Sequence, residues 1–288
     1  PRCINFPTSK SFKLQTKVLL YNAQFHPEQD LKLPFTNRAF QYNDGFFETI
    51  MVVDGKLRFW EAHQERMQEP AVRMQLAIPD YFWNGSLEKS LLELAGIENA
   101  AEYGRLKLRV WRSGEGLYTP QTNDIAWLAR AELTKPIPES QIRVGLCQLV
   151  STCLSPFSHF KGPHAPLYVL AGIEKQAKEF DDMLLLDSNG NIAELISSNI
   201  FWLKDGMLFT PLLETGCVNG ILRRTILRWC QQQGIAVLEV LANPKELMQA
   251  ECVFGANVTG IRCIERMGDQ LLKVDHDRLH QLKTGLQV

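Results

Sequence analysis

The segment that decides the fold is NGNIAELISSNIFWLKDGMLFTP, residues 189–211. It opens with a turn and continues into two strand-like halves joined by Asp205-Gly206, a pair that is typical of a tight hairpin. In the first half, Glu194 occupies a position at which an alternating strand would bury its side chain. A small polar run, Ser197-Ser198-Asn199, follows it. The segment therefore predicts a strand with a carboxylate on its inner face.

Length and composition limit the classes of protein to which the chain can belong. The 288 residues, 45% apolar and 22% charged, are typical of a soluble globular protein and suffice for two domains. The formal net charge of −1 argues against broad attraction to nucleic acid or anionic membranes, although a local basic pocket is compatible with it. No apolar run approaches the roughly 20 residues that span a bilayer, and the N-terminus lacks a signal-peptide pattern. We expect a cytoplasmic protein.

The cysteines and histidines show no pattern of a disulfide frame or a metal site. The seven cysteines are odd in number and contain no C-x-x-C pair, and the six histidines contain no H-E-x-x-H spacing. The sequence therefore predicts reduced thiols and no bound metal.

Hydrophobic periodicity predicts an α+β fold. The predicted helices are 61–77, interrupted at Pro70, and 85–95, 165–180, 220–229 and 275–285. The predicted strands are 49–53 and 56–59, joined by Asp54-Gly55, and 105–112, 124–133, 142–150, 183–187, the two halves of 189–211, 234–242 and 251–261. The segment TKPIPES, 134–140, is the best candidate for a linker between domains.

Two residues indicate cofactor chemistry. Lys161, in PFSHFKGPHAP (156–166), lies between Phe160 and Gly162, so that apolar surface can flank it and a ligand can approach closely. Desolvation lowers a lysine pKa and makes the amine a nucleophile that forms Schiff bases. A carboxylate at Glu194 is able to pair with the protonated ring nitrogen of a pyridoxal cofactor. Taken singly, each residue has an alternative, as a solvated loop lysine or as an edge-strand glutamate that faces water.

Three features are suited to binding a phosphate group: a helix start, a small-residue turn and an arginine on a helix. The residues that these features contribute are Gly220, Ile221, Leu222, Asn257, Thr259 and Arg66. Backbone N–H groups in the first turn of a helix have no partner within the helix, and arginine binds phosphate bidentately. Many helices begin after glycine, and solvated arginines are common, so these signals gain their weight from their order along the chain.

In that order the residues resemble the class IV family of pyridoxal-phosphate enzymes. This family contains branched-chain aminotransferases, D-amino-acid aminotransferases and 4-amino-4-deoxychorismate lyases. The resemblance runs from FTNRAFQYNDGFFETI (35–50) to GANVTGIR (255–262), and its most specific block is 184–227. It implies a smaller N-terminal α/β domain, 1–135, and a larger C-terminal domain with a barrel-like sheet, 136–288. It also implies pyridoxal 5′-phosphate between the domains, a small-molecule substrate, and a homodimer whose partner contributes to the active-site wall.

The resemblance assigns roles to individual residues. Lys161 is similar to the lysine that binds the cofactor's aldehyde and shuttles the proton, and Glu194 is similar to the partner of the pyridine nitrogen. The residues that match the phosphate site are Arg66, Gly220, Ile221, Leu222 and Asn257. The residues that fall where the small domain closes over the substrate are Tyr42, Phe47 and Glu48. Three positions depart from the family pattern: His164 replaces a common asparagine, Asn43 a frequent glycine, and Asn257 a common threonine.

The reaction is predicted from the loop SGEGLYTP, 113–120, which follows the strand RLKLRVWR. D-amino-acid aminotransferases hold a carboxylate there with an Arg-x-His pair, which this loop lacks, and its S-G-x-G-x-Y form is more similar to the lyases. Four cations of the strand are suited to a dicarboxylate substrate, although some would be solvated: Arg105, Lys107, Arg109 and Arg112. We therefore expect an aminodeoxychorismate lyase. The alternatives are a branched-chain-type aminotransferase that uses 2-oxoglutarate, a D-amino-acid aminotransferase, and a relative that binds the cofactor without catalysis.

Overall fold

A computed structural model describes residues 16–138 and 141–288. The expectation about a signal peptide, which concerns the first residues, and the last two residues of the predicted linker lie outside these ranges. The described strands form two sheets, one of six strands and one of nine. Helices pack on both, so the fold is α+β, as predicted.

The six-stranded sheet is built from the first half of the chain. Its strands are β1 Val18–Tyr21, β2 Gln24–Pro27, β3 Gly45–Val53, β4 Lys56–Leu57, β5 Tyr103–Arg112 and β6 Ile125–Leu133. They lie in the order β2-β1-β6-β5-β3-β4, with every pair antiparallel. Three helices accompany it: α1 Arg38–Tyr42, α2 Trp60–Arg73 and α3 Ser86–Ile97. Alternate residues of β5 are buried in the core that the sheet forms with α2 and α3.

The nine-stranded sheet contains the rest of the chain. Its strands are β7 Ile142–Leu146, β8 Asp182–Leu186, β9 Ile192–Leu195, β10 Asn199–Lys204, β11 Met207–Pro211, β12 Val237–Val240, β13 Cys252–Asn257, β14 Gly260–Met267 and β15 Gln270–Leu271. The order is β12-β11-β10-β13-β14-β7-β8-β9, with β15 paired to β14. Because β9 also lies beside β10 and β11, the sheet curls into a half-barrel. Its helices are α4 Ala165–Ala177, α5 Ile221–Gln233 and α6 His276–Leu286.

Both predicted Asp-Gly hairpins are present. Asp54-Gly55 joins β3 to β4 and Asp205-Gly206 joins β10 to β11, and the four residues have φ values between 48° and 74°. A two-residue turn with positive φ at both positions has the twist that antiparallel strands require.

The first half of the 189–211 segment is two strands and not one. Glu194 lies in β9, which pairs with β8, whereas β10 pairs with β11 and β13. Between β9 and β10 the chain turns tightly, and the N–H of Leu195 donates to the carbonyl oxygen of Ser198. The small polar residues therefore form a turn that follows the carboxylate.

Two further predictions are corrected. The predicted strand 142–150 ends at Leu146, because the N–H groups of Gln148 and Leu149 donate to the buried carboxylate of Glu174 on α4 and not to a neighbouring strand. Helix α2 continues through Pro70 without a break. Pro70 lies three residues from the end of the helix, and its fixed φ suits a helix, so only one intrahelical hydrogen bond is lost there.

Helices α2 and α5 connect the two halves of the chain. Ion pairs join Glu65 to Arg228 and Glu69 to Arg224, at matching i and i+4 spacing on the two helices. This packing places Arg66, which lies between the two glutamates, on the same side as the first turn of α5.

Candidate active site

A cavity of about 230 Å³ lies between the two sheets. It is lined by residues of β3 and α2 from the first half, and by the loop before α4, β9, the start of α5 and the β13–β14 turn from the second. The predicted site residues that line it are Phe47, Arg66, Lys161, Glu194, Gly220, Ile221 and Asn257. Leu222, whose role was predicted for its backbone, has its side chain in the core behind α5.

The loop that carries Lys161 is attached to strand β3 of the other sheet. The N–H of Phe47 donates to the carbonyl oxygen of Lys161 at 2.9 Å, and the side-chain amide of Asn43 donates to the carbonyl oxygen of Gly162 at 2.9 Å. A Cβ at Gly162 would lie 2.5 Å from the carbonyl oxygen of Gly45, so only glycine fits there. Asn43 itself has φ 50° and ψ 34°, a left-handed conformation that asparagine and glycine tolerate. Asparagine at position 43 therefore adopts the required left-handed backbone conformation, and its side chain adds a hydrogen bond that glycine would lack.

The amine of Lys161 has no hydrogen bond or ion pair with any other residue in the described ranges. Removal from bulk water lowers the pKa of Lys161 to about 8, and the charge of Arg66 acts in the same direction. The carboxylates of Glu48 and Glu194 oppose this shift of the pKa. The unprotonated amine, which is the nucleophilic form, is therefore far more populated near neutral pH than it is for a solvated lysine.

Glu194 is buried in the cavity wall and held by two donors. The hydroxyl of Tyr168 on α4 donates to Oε1 at 2.6 Å, and the N–H of Val218 donates to Oε2 at 3.2 Å. Burial raises the pKa of Glu194 to about 7, against these two hydrogen bonds, which lower it. No cationic side chain of the described residues forms an ion pair with Glu194. The site therefore presents a carboxylate that a ligand cation would stabilise.

The turn after Glu194 is connected to the β13–β14 turn. The amide of Asn257 donates to the carbonyl oxygen of Ser197 and to Oγ of Ser198, both at 3.0 Å. Its carbonyl oxygen accepts hydrogen bonds from the backbone and hydroxyl of Thr259. The side chain of Asn257 thus orders the cavity wall, and Thr259 lies behind it, outside the lining residues.

Helix α5 begins at the cavity without a side-chain cap. Gly220 is the N-cap residue, no side chain bonds to the first turn, and the first turn contains no acidic residue. Gly220 has to be glycine, because a Cβ would lie 2.1 Å from the side-chain oxygen of Asn199, whose amide donates to the carbonyl oxygen of Val218. Free N–H groups and the helix dipole together favour an anion at this position.

Arg66 is held by the buried carboxylate of Glu48, and the sequence did not predict this pairing. Its guanidinium donates to both oxygens of Glu48, at 2.8 and 2.5 Å, and Nδ1 of His63 lies 2.6 Å from Oε2. Burial raises the pKa of Glu48, but Arg66 and His63 together lower it to about 2. Burial lowers the pKa of His63, so its ring is neutral, donates through Nδ1, and leaves Nε2 buried without a partner. The cluster fixes one edge of Arg66.

The residues predicted to bind the substrate have different environments. Phe47 lines the cavity, and the ammonium group of Lys107 lies 4.7 Å from the centre of its ring. Arg105 forms an ion pair with Glu132 on the exposed face of the sheet, and Arg109 lies on that face without an ion pair in the described chain. None of the four strand cations lines the cavity of this chain.

Arg112 and Tyr42 do not line the cavity either. Arg112 is buried, forms an ion pair with Asp44 and donates to Asn123 and to backbone carbonyls, so its charge is already satisfied. Tyr42 packs against the exposed ring of Tyr118, beside the loop 113–120.

Some residues of the site were missed in the sequence. Tyr168 and His63 contact Glu194 and Glu48, and Thr49 lines the cavity beside Phe47. The sequence contained two signals for them. One is the single tyrosine in the apolar stretch of α4, and the other is the i, i+3 spacing of His63 and Arg66. Both patterns are common on buried helix faces, so neither distinguishes a site.

Within residues 16–138 and 141–288, no helix has the length and apolar character that a membrane span requires. In the same ranges, no three side chains of the histidine, cysteine, aspartate and glutamate types are grouped so as to bind a metal ion.

Comparison with known proteins finds relatives in sequence and a solved structure of the same fold. An aminodeoxychorismate lyase of Vibrio harveyi is 28% identical over 232 residues, which cover 78% of this chain and 83% of the lyase. A D-alanine aminotransferase of Bacillus licheniformis is 26% identical over 261 residues, which cover 84% of each protein. The crystal structure of a branched-chain aminotransferase from Thermoproteus uzoniensis, with norvaline, superposes with a TM-score of 0.83. That structure is 20% identical, and the superposition covers 94% of each chain.

The family assignment follows from a match to a family model over most of the chain. The family model for amino-transferase class IV matches residues 45–266, which include the site residues from Phe47 to Asn257. The predicted family is confirmed, and membership of it implies pyridoxal 5′-phosphate as the cofactor. The chain belongs to the class IV aminotransferase family.

Proposed function

We propose that this chain binds pyridoxal 5′-phosphate in the cavity between its two sheets and uses it through Lys161. Three features of the cavity fit this cofactor. The amine of Lys161 has a pKa of about 8 and no partner among the described residues, Glu194 is a buried carboxylate without a cation, and α5 has an uncapped first turn. An aldehyde, a protonated ring nitrogen and a phosphate are the three groups that such positions would bind.

The residues would hold the cofactor at its opposite ends. The N–H groups of Ile221 and Leu222, with Gly220 allowing close approach, would bind the phosphate, and the free edge of Arg66 would add charge. Glu194, oriented by Tyr168, would accept a hydrogen bond from the ring nitrogen. The cation there would lower the pKa of Glu194 and keep it ionised.

The chemistry of the reaction would be divided between the cofactor and the protein. When bound, the cofactor supplies an electron-withdrawing ring that stabilises negative charge at the carbon bearing the substrate amine. Lys161 would remove the proton from that carbon, since an amine with a pKa of about 8 is suited to proton transfer near neutral pH.

We infer that the reaction is elimination of pyruvate from 4-amino-4-deoxychorismate, which leaves 4-aminobenzoate. The observation that carries this inference is the position of Lys107, the one strand cation whose charged group contacts the ring of a cavity residue, Phe47. The loop 113–120 contains no cation, and Arg38 holds it through the carbonyl oxygens of Gly116 and Leu117. Recognition of a substrate carboxylate would therefore depend on the strand. The similarity to the Vibrio harveyi lyase supports the same reaction.

Two transaminase reactions are the alternatives. A branched-chain-type aminotransferase would also need a cation for 2-oxoglutarate, and the similarity of fold to such an enzyme is compatible with it. A D-amino-acid aminotransferase has support from the Bacillus licheniformis relative, but the loop lacks the Arg-x-His pair. A relative without catalysis would have no need of the shifted pKa of Lys161.

Product analysis distinguishes these reactions. The purified protein, loaded with cofactor, is incubated with aminodeoxychorismate, with leucine plus 2-oxoglutarate, or with D-alanine plus 2-oxoglutarate. Pyruvate from the first mixture supports the lyase, whereas glutamate from the second or third identifies the matching transaminase and contradicts it. Lys161→Ala should abolish the visible absorbance of the bound cofactor and all activity, and Lys245→Ala, an exposed lysine elsewhere, should change neither. An unchanged absorbance band in Lys161→Ala would disprove the role of that lysine.

A further inference from the structure

His164 is a cavity residue to which the functional assignment above gives no role. It lies three residues after Lys161, immediately before α4, and lines the same cavity as Lys161 and Glu194. It stands where the resemblance to the family leads us to expect asparagine, so its imidazole departs from the common pattern.

A chain of hydrogen bonds fixes the ring of His164. Its Nε2 lies 2.8 Å from Oγ of Ser155, which also accepts a hydrogen bond from the N–H of Phe157 at 3.1 Å. The ring of Phe157 packs beside the imidazole. The orientation of His164 is therefore set on one side by a polar partner and on another by an aromatic ring.

The hydroxyl of Ser155 has two possible acceptors, and one is better placed. Oγ of Ser158 is buried, donates to the carbonyl oxygen of Cys153 at 2.9 Å, and already accepts the N–H of Ser155 at 2.9 Å. The contact between the two hydroxyl oxygens is 3.2 Å, whereas that between Ser155 and His164 is 2.8 Å. The shorter contact favours donation from Ser155 to Nε2 of His164.

The second ring nitrogen is then a donor. When Nε2 accepts a hydrogen bond, the imidazole is neutral and carries its proton on Nδ1. Nδ1 of His164 has no hydrogen-bond partner in the described part of the chain, and it is not among the buried atoms left unsatisfied. Nδ1 of this cavity-lining residue is therefore neither buried nor bonded within the described chain, so it is available to a ligand.

We propose that His164 binds the substrate by donating a hydrogen bond from Nδ1 to an oxygen beyond the amino carbon, and that it thereby selects acidic substrates. This inference rests on the proposed function, since it assumes that the substrate occupies the cavity. It names the class of group recognised, a carboxylate or ether oxygen, and it adds a hydrogen-bond donor to the cationic contact expected from Lys107.

The inference is tested by equilibrium binding, which needs no turnover. The cofactor-loaded full chain is titrated by calorimetry with chorismate, which has a hydroxyl in place of the reacting amine, and with 2-oxoglutarate, a shorter dicarboxylate. His164→Phe keeps a ring but removes the donor, and we expect it to raise the Kd of one of these acids about tenfold. His164→Asn restores an amide donor and should stay within about threefold of the wild type. Ser155→Ala, which frees the ring, should have an intermediate effect.

The matched control is His159→Gln. His159 belongs to the same loop, bonds to the carbonyl oxygen of Leu213 and does not line the cavity, so its substitution should leave both Kd values unchanged. The visible absorbance of each variant reports cofactor loading independently of ligand binding. If neither acid binds the wild type, or if His164→Phe binds both as tightly as the wild type, the inference is wrong. Failure of the wild type to release pyruvate would contradict the lyase reaction alone, because the change in Kd would remain.

Discussion

At the scale of single residues, burial brings the pKa values of an acid and a base together. Desolvation disfavours charge on both groups, so it raises the pKa of Glu194 to about 7 and lowers that of Lys161 to about 8. Each residue lacks a partner of opposite charge at hydrogen-bonding distance among the described residues. The desolvation of these two groups therefore costs most free energy when the cavity is empty. A ligand that supplies a cation to Glu194 offsets part of that cost.

The pKa of Glu194 predicts how the stability of the cofactor-free protein changes with pH. Because its folded pKa of about 7 is above its unfolded value of 4.5, the folded state binds more protons in that interval, and stability falls as pH rises from 4.5 to 7. Glu194→Gln removes this titration, so the stability of the wild type relative to the variant should fall by up to about 3 kcal/mol across the interval. Urea unfolding of both proteins at pH 5 and pH 7.5 measures it. A difference that does not change with pH would contradict the prediction.

The buried cluster of Glu48, His63 and Arg66 predicts a second pattern of stabilities. Glu48→Gln leaves the guanidinium of Arg66 buried without a counter-charge, and we expect a loss of about 3–5 kcal/mol. The double variant Glu48→Gln, Arg66→Met removes both charges. Its free energy of unfolding should fall by less than that of the single variant Glu48→Gln. Both proteins should bind cofactor more weakly than the wild type, since the site loses a fixed Arg66. Urea unfolding and cofactor titration test this, and a double variant that is less stable than the single one would contradict it.

The residues differ in how much of their role the sequence could indicate. Lys161, Glu194 and Gly220 were predicted because each belongs to a block whose order along the chain is distinctive. The pairing of Glu48 with Arg66 was not predicted, because it joins positions 18 residues apart on a strand and a helix whose packing is a tertiary property. Tyr168 was missed for the same reason, since its contact with Glu194 depends on how α4 packs on β9.

At the scale of elements, strand β5 alternates between core residues and cations. Leu106, Leu108 and Val110 are buried, whereas Arg105, Lys107 and Arg109 lie on the other face. Burial lowers the pKa of Lys107, with the charge of Arg109 acting in the same direction, so a bound carboxylate would relieve this repulsion. The sequence predicted the alternation but not the cation that contacts Phe47. In the register of β5 with β3, Phe47 lies opposite Arg109, whereas the ammonium group over its ring belongs to Lys107.

Lys107 and Arg105 form a matched pair for kinetics. Lys107→Met should raise the KM for an acidic substrate about tenfold, because it removes the charged group that contacts the ring of Phe47, a residue that lines the cavity. Arg105→Met removes a cation two residues away that is already paired with Glu132, and its KM should change less than about twofold. Steady-state kinetics of both variants tests this. Equal effects of the two substitutions would show that only the overall charge of the strand matters.

The start of α5 gives a prediction about cofactor binding. Gly220→Ala places a Cβ 2.1 Å from the side-chain oxygen of Asn199, so either the helix start or Asn199 must move. We expect a loss of about 1–3 kcal/mol in stability and at least a tenfold loss in affinity for the cofactor. Gly96→Ala is the control, because Gly96 lies in α3 with nothing within 4 Å of an added Cβ. Absorbance titration of the apo-proteins measures the affinity, and an unchanged affinity in Gly220→Ala would exclude close approach of the phosphate.

The segment 189–211 shows which strands and turns local sequence patterns can predict and which they cannot. Its alternation and its Asp-Gly turn indicated the strands and the second hairpin, but not the turn at 195–198. The separation of β9 from β10 depends on their partners, β8 and β13, which are distant in sequence, and local periodicity contains no information about them.

At the scale of the whole molecule, exposed apolar side chains predict a dimer. Phe35 and Phe40 are 78% and 71% exposed and pack on each other, and Tyr118 is 91% exposed beside Tyr42. A partner copy that covers these rings would account for their exposure and would bring the loop 113–120 into the interface. Sedimentation should therefore show a dimer.

Phe40→Glu should raise the dissociation constant of that dimer at least tenfold. Val72→Glu is the control, since Val72 is exposed to the same degree, 75%, but belongs to a different element, α2. A wild type that sediments as a monomer would contradict the prediction, as would equal weakening by both substitutions.

The attachment of the Lys161 loop to β3 has a consequence for any motion of one sheet relative to the other. Lys161 belongs to the second half of the chain, yet Gly162 touches the backbone of Gly45 and its carbonyl oxygen is bonded by Asn43. Any rotation of one sheet on the other would carry the amine with the first sheet while Glu194 stays with the second. The separation between amine and acid is thus a measure of the angle between the two sheets, and a ligand that bridges them would fix that angle.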